Sequence, residues 1–302
     1  MSLAVAGVFC AAATPLRANG TPDLALFGAH ARALLDEGCH GVALLGTTGE
    51  ANSFGVRERM DLLEAALAAG VPPGALLPGT STTAVTDTVA LTRHAVEAGA
   101  RGVVMLPPFY YKNVSDEGVF RFYARVIEGV GDDRLRVVLY HIPMFSGVPI
   151  SHALIARLRE AFPDTVVGIK DSDGKIENMT AMVERFPGLG VLAGADPLLL
   201  PLLQAGGAGC ITASSNLVAR ELRTVYDHWN DPVRAEEVAA AQETIVAWRA
   251  LTNAYVQLPT VKAMLARRRG DLGWLNVHPP FTALPEAERD RVWAEMARLE
   301  AA

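Results

Sequence analysis

Four lysines occur in the 302 residues: Lys112, Lys170, Lys175 and Lys262. One of them stands where an amine could do chemistry. Lys170 ends the run Val166-Val167-Gly168-Ile169-Lys170, and the turn residues Asp171-Ser172-Asp173-Gly174 follow at once. A short β-branched run closed by such a turn predicts a buried strand that delivers Lys170 to its C-terminal end. Lys112 and Lys175 fall in polar loops, and Lys262 falls on the first turns of a late helix. An amine held among apolar neighbours gives up its proton more readily, becomes nucleophilic near neutral pH and condenses with a carbonyl compound to a Schiff base. The cationic imine withdraws electrons, so an adjacent C–C bond can break or form through an enamine. The bland reading of Lys170 is a lysine that merely closes a strand.

Other apolar runs end in groups that could serve such an amine. Gly46-Thr47-Thr48-Gly49-Glu50 offers consecutive amide N–H groups in a glycine-flanked turn plus two hydroxyls, a nest of the right size for a carboxylate. Its bland reading is an ordinary turn, with Glu50 as structural support. Tyr140-His141-Ile142-Pro143 puts a phenol at a strand end, placed to shuttle protons. Strand alternation aims His141 to the opposite face. Gly79-Thr80-Ser81, Phe109-Tyr110-Tyr111, Gly194-Ala195-Asp196 and Ile211-Thr212 end further runs. No His/Asp/Glu cluster has ligand spacing at these ends, so no metal is expected.

What must position these residues is legible as a repeat. Strands are predicted at Gly7–Ala13, Gly41–Leu45, Ala75–Gly79, Gly102–Leu106, Arg136–Tyr140, Val166–Lys170, Gly190–Ala193 and Gly209–Thr212, with amphipathic helices between them. Glycines at 38, 70, 99 and 206 stand where a helix would end in a left-handed cap. Crossovers long enough to hold a helix argue for parallel pairing, and near-continuous apolar strands for a sheet covered on both faces. A doubly wound open sheet is the alternative, but no Gly-x-Gly-x-x-Gly follows the first strand. Eight regular units predict an α/β fold of (β/α)8 TIM-barrel type over residues 1–230. A C-terminal helical extension, residues 231–302, packs on it. In such a barrel the active site lies at the C-terminal ends of the strands.

The composition is that of a globular protein: 50% hydrophobic, 20% charged, net charge −6. It leaves no basic footprint for nucleic acid. Cys10, Cys39 and Cys210 lie far apart and read as reduced, buried thiols. The most apolar region, 191–213, is broken by Asp196, Pro197, Pro201 and glycines, so no membrane span is expected. No secretory signal pattern opens the chain, which points to the cytoplasm. Met1-Ser2-Leu3 reads as an expression scar.

Taken together, Gly46-Thr47-Thr48-Gly49-Glu50, Tyr110-Tyr111, Tyr140-x-x-Pro143, Gly168-Ile169-Lys170 and Gly194-Ala195-Asp196 resemble the dihydrodipicolinate synthase / N-acetylneuraminate lyase family of class I, pyruvate-dependent aldolases. The likeness runs from Gly7 into the C-terminal helices. It implies that Lys170 forms the imine with pyruvate or another 2-oxo acid and Tyr140 shuttles protons. Thr47 relays to Tyr140, and Tyr111 completes the relay from a neighbouring subunit. Thr48, with the amides of Gly46 and Gly49, binds the carboxylate, and the backbone at Ile211 faces the substrate. It also implies a homotetramer built as a dimer of dimers, no cofactor beyond the imine, and an aldehyde as second substrate.

Two departures bear on that aldehyde. Biosynthetic members carry an arginine five residues after the shuttle tyrosine for the carboxylate of aspartate semialdehyde; here the position is Phe145, which cannot supply a bidentate donor. Sialic acid lyases carry an Asp-Glu pair after the seventh strand; here Asp196 is followed by Pro197. The expectation is a lyase, aldolase or dehydratase of 2-oxo acids whose second substrate differs from aspartate semialdehyde, with Phe145, Gly194 and Asp196 near it. A genuine 4-hydroxy-tetrahydrodipicolinate synthase and a non-catalytic 2-oxo acid-binding protein are the alternatives.

Overall fold

A computed structural model describes residues 5–301; Met1-Ser2-Leu3 lies outside them. Seven parallel strands form one sheet: β1 (Gly7–Ala11), β2 (Gly41–Ala43), β3 (Val103–Met105), β4 (Val137–His141), β5 (Val166–Asp171), β6 (Gly190–Ala193) and β7 (Gly209–Thr212), in the order β2-β1-β7-β6-β5-β4-β3. The expected third strand, Ala75–Gly79, is not a regular strand, yet it closes the gap between β2 and β3. Leu76 bridges Val42 and Gly79 bridges Val104. The amides of Leu77 and Gly79 donate to Val42 and Leu44 at 2.9 and 2.8 Å. Along a strand between two parallel neighbours, alternate amides serve opposite sides, so Pro78, which has no N–H, removes a donor on the β3 side only. The barrel is therefore closed by a seam with a proline defect.

Strand alternation sorts the core into two layers. Val8, Cys10, Val42, Val137, Leu139, Ile169 and Val191 face the helices. Phe9, Ala11, Ala43, Val104, Val138, Tyr140, Leu192 and Ile211 fill the barrel interior. The three cysteines are free and buried, and burial pushes the Cys10 and Cys210 thiols well above their ordinary range.

The outer helices are α1 (Leu24–Asp36), α2 (Val56–Ala68), α3 (Val85–Glu97), α4 (Asp116–Val130), the one-turn α5 (Pro143–Ser146), α6 (His152–Ala161), α7 (Ile176–Arg185), α8 (Leu199–Gln204) and α9 (Ala219–His228). Side-chain caps start three of them: Asp23, Ser115 and Ser151 each accept the amide three residues on. Glycines 38, 70, 99 and 206 follow their helices with positive φ, as the stop pattern requires. Helix α5 was not anticipated; Pro143 at its first position starts it.

Helices α10 (Ala235–Thr252), α11 (Gln257–Arg269) and α12 (Glu286–Ala301) follow. Nine consecutive residues of α11, Leu258 to Ala266, are buried. After α11 the chain crosses the mouth of the barrel. There the Asn276 amide donates to the Leu16 carbonyl at 2.8 Å and the His278 N–H to Glu50 Oε2 at 2.7 Å. Among the described residues no helix is long and apolar enough to cross a membrane.

Candidate active site

Tyr140 and Lys170 are register partners on β4 and β5. Because they occupy the same parity as Val138 and Gly168, both point into the barrel, and both are buried. The Lys170 ammonium lies 4.2 Å from the centroid of the Tyr140 ring, a cation–π contact that also brings the amine beside the phenol. Tyr140 Oη lies 3.3 Å from Thr47 Oγ1. Burial opposes ionisation of this phenol, but the Lys170 charge outweighs it together with polar contacts from Thr47, Lys170 and Ser172, and the net effect holds it below the usual tyrosine value. His141 and Asp171, the next register pair, face outward. The His141 Nδ1 accepts the Ile150 amide at 3.1 Å, and Asp171 accepts from Asn178 at 2.7 Å.

The turn after β2 is held under tension. Leu45 and Glu50 flank Gly46–Gly49, and both are left-handed, with φ of 59° and 56°. Two non-glycine residues in that region cost about 1 kcal/mol or more each and persist only where neighbours over-determine them. Those neighbours are visible. Thr14 Oγ1 donates to the Gly49 carbonyl at 2.9 Å. Glu50, fully buried, receives the Lys262 ammonium at 2.6 Å and the His278 amide at 2.7 Å. Among the described residues, no carbonyl or side chain accepts from the amides of Thr47, Thr48 and Gly49. Three free N–H groups in one turn form an anion nest.

Two cavities adjoin at Thr47. The smaller, about 20 Å³, is bounded by Gly46, Thr47, Tyr140, Ser81 and Arg59. Arg59 is buried, pushed down to about 10 by burial, and donates to the carbonyls of Gly79 and Ser81 at 2.8 and 3.0 Å. The larger, about 240 Å³, opens at the barrel mouth between Thr47, Phe109, Ile142, Phe145 and Phe281. A strand-end amine beside a phenol, a hydroxyl against that phenol and an anion nest next to both can condense with a 2-oxo acid and move its protons.

Residues 4–299 match the Dihydrodipicolinate synthetase family. The chain belongs to that family. It is 36% identical to a DapA-like lyase of Chloroflexus aurantiacus over 86% of this chain and 85% of the relative. It is 33% identical to a 4-hydroxy-tetrahydrodipicolinate synthase of a Synechococcus species, over 90% and 87%. Among solved structures, dihydrodipicolinate synthase from Agrobacterium tumefaciens superposes with a TM-score of 0.86 at 31% identity, over 97% of this chain and 99% of that one. YagE, a prophage protein of the same family from E. coli solved in complex with pyruvate, superposes at 0.89 with 26% identity, over 98% and 99%. As a member of the dihydrodipicolinate synthetase family, the protein is a lyase of class I aldolase type.

Against the family pattern, the fold brings Lys170, Tyr140, Thr47, Thr48, Gly46 and Gly49 to one strand-end cluster, with Ile211 in the interior layer that also holds Tyr140. Phe145, on α5, lines the larger cavity beside Thr47. Gly194 abuts the strand-end turn after Lys170: a Cβ there would overlap Ser172 Oγ and sit 2.7 Å from the Asp171 carbonyl. Two residues stand apart. Tyr111 is 72% exposed and packs edge-on against Tyr110 rather than on Tyr140 of its own chain. Asp196 is fully buried and paired with Arg249 of α10 at 3.3 Å, so here it ties a strand-end loop to the helical extension.

Four features escaped sequence reasoning. Arg59 and Phe281 carried no local signal. The Glu50–Lys262 pair joins residues 212 apart in sequence. Ser172 could have been found, since it follows Lys170 by two and strand parity turns it the same way.

Proposed function

We propose that the protein is a Schiff-base-forming lyase or aldolase of 2-oxo acids whose aldehyde partner is not aspartate semialdehyde. The single observation that carries this is the Lys170–Tyr140–Thr47 cluster beside an unoccupied-by-protein anion nest. In the synthetic direction the Lys170 amine attacks the 2-oxo carbon of pyruvate, whose carboxylate lies in the nest with Thr48. Water leaves and the iminium forms. Tyr140 gives the departing water its proton, the phenolate so formed takes a C3 proton, and the resulting enamine attacks the aldehyde carbon. The new C–C bond forms as the aldehyde oxygen takes a proton from Tyr140, which Thr47 Oγ1 at 3.3 Å re-protonates. Hydrolysis of the imine returns the Lys170 amine. The reverse sequence is the lyase reaction. The iminium is the electron sink, so the reaction requires no further cofactor.

Tyr111 belongs to this reading as a residue lent to a neighbouring subunit. Its exposure supports that role, and with it a homo-oligomer built as a dimer of dimers. In the same reading residues 1–230 are the catalytic barrel and 231–302 brace the Glu50 turn. Phe145, where biosynthetic relatives carry arginine, supports an aldehyde without a second carboxylate. Incubation with pyruvate and borohydride, read by intact mass, should give one reduced adduct that Lys170→Ala abolishes. Absence of the adduct refutes the imine. With aspartate semialdehyde, turnover should stay near background; turnover at a rate matching other aldehydes would make the protein a genuine 4-hydroxy-tetrahydrodipicolinate synthase.

A further inference from the structure

The cavity of about 240 Å³ at the barrel mouth has walls unlike those of a site for a carboxylated aldehyde. Phe109 from the loop after β3, Phe145 from α5 and Phe281 from the strap after α11 converge on it with Leu106 and Ile142. Asn52, Ser53 and Ser146 supply uncharged polar groups to the rest of the wall. Neither lysine nor arginine lines it. Its one charged wall residue, Glu50, is turned away and neutralised by Lys262 at 2.6 Å. The cations near it along the chain are committed elsewhere, Arg57 among them to Asp61 and Glu64 at 2.6 and 3.1 Å. Lys112 donates to the carbonyls of Phe109 and Ser146, and Arg59 to those of Gly79 and Ser81. The Lys112 bonds also clasp the loop that carries Phe109 to the helix that carries Phe145, so the spacing of two walls is set. The third wall is anchored through the His278 amide on Glu50.

Resting on the imine chemistry proposed above, we infer that this cavity is the aldehyde subsite and that it takes an uncharged aldehyde with a flat apolar arm, of the benzaldehyde class. The formyl carbon faces Thr47 and Tyr140, and the arm lies among the three phenylalanines. An apolar cavity of about 150 Å³ suffices for benzene, so a ring with its formyl group fits. A carboxylate on the arm would be desolvated without a partner. A polyhydroxylated arm would set hydroxyls against three rings, with partners only at Thr47, Asn52, Ser53 and Ser146.

The test gives the enzyme pyruvate with benzaldehyde, 4-carboxybenzaldehyde or D-glyceraldehyde and follows product by chromatography and mass. Benzaldehyde should exceed each of the others by at least about tenfold in kcat/KM. Phe281→Ala should lower the benzaldehyde value about tenfold, mainly through KM, while Phe281→Leu, which keeps the packing, recovers part of it. The borohydride-trapped pyruvate adduct should be unchanged in both variants. Preference for the carboxylated or hydroxylated aldehyde, or an unaltered KM in Phe281→Ala, overturns the assignment while a normal adduct leaves the imine standing. Should no adduct form, the imine falls by itself, and the subsite is read by saturation-transfer NMR with benzyl alcohol and 4-(hydroxymethyl)benzoate, neither of which needs Lys170. Equal binding of the two overturns the subsite; selective binding of benzyl alcohol, lost in Phe281→Ala, upholds it.

Discussion

Replacing Lys262 by methionine removes the one counter-charge, among the described residues, of a carboxylate that the fold has taken wholly out of water. Both side chains are 0% exposed and the ion pair is 2.6 Å long. Burial lowers the Lys262 pKa against the opposing attraction of Glu50, so desolvation here outweighs the pairing, as expected for buried pairs. The pair is therefore no large net source of stability, but cutting it in half is costly. An uncompensated buried carboxylate costs about 3–5 kcal/mol, or a fall in Tm of roughly 6–15 °C for a chain of this size. Replacing both partners, Lys262→Met with Glu50→Gln, should recover most of that loss, because the glutamine oxygen still accepts the His278 amide. Denaturant titration of the four proteins closes the cycle, with a coupling of at least about 2 kcal/mol expected. Turnover should behave differently. The left-handed Glu50 holds the Thr47–Thr48 turn, so the double variant should regain stability without regaining full kcat/KM. A loss below about 1 kcal/mol in Lys262→Met, or additive effects in the cycle, would refute this reasoning.

Three further outcomes follow from the geometry. Tyr140→Phe should lower kcat by roughly 10²–10⁴ while the borohydride-trapped adduct still forms on Lys170. Since the phenol titrates below the usual tyrosine value, the wild-type kcat/KM should also fall on an alkaline limb below pH 10 that this variant lacks. His30, buried and donating to Asn216 at 3.0 Å, is pushed down to about 3, mainly by desolvation. A folded pKa below the unfolded one gives stability that is present above about pH 6.5 and lost as pH falls toward 3, on the order of 4–5 kcal/mol. Denaturant titrations between pH 7 and 4 should show the decline, and His30→Gln should flatten it. Gly194→Ala drives a Cβ onto Ser172; stability should fall by about 1–3 kcal/mol and kcat/KM by more than that shift accounts for, because Ser172 helps hold the Tyr140 phenol below its usual value. Equal activity per folded molecule would count against a role for Ser172.

The residues that could be read in advance are those whose role depends on a short stretch of chain. Strand parity alone predicts that Lys170 points inward and that His141 does not, and the fold agrees. Glycines after helices are equally local, and all four adopt the positive φ their position demands. The expected third strand fails for a reason the same stretch contains: Pro78 has no amide to give β3, so that ladder lacks a donor, although the Leu76 and Pro78 carbonyls still accept the amides of Arg101 and Val104. What could not be read depends on partners far along the chain. Lys262 looks like any helix lysine until α11 is laid against Glu50, and Asp196 looks like a substrate ligand until α10 brings Arg249 to it. Phe281 belongs to a strap with no periodicity at all. These three have one origin, for each is supplied by, or pairs with, the chain beyond residue 230. In the proposed function the groups that make and hydrolyse the imine are those at the barrel's strand ends, which local sequence encodes. Helix α11 and the strap after it hold the turn proposed to receive the carboxylate and furnish Phe281 to the proposed aldehyde cavity. Relatives that share the strand ends can therefore differ in their aldehyde through the C-terminal segment, where Phe281→Ala probes the difference without touching Lys170.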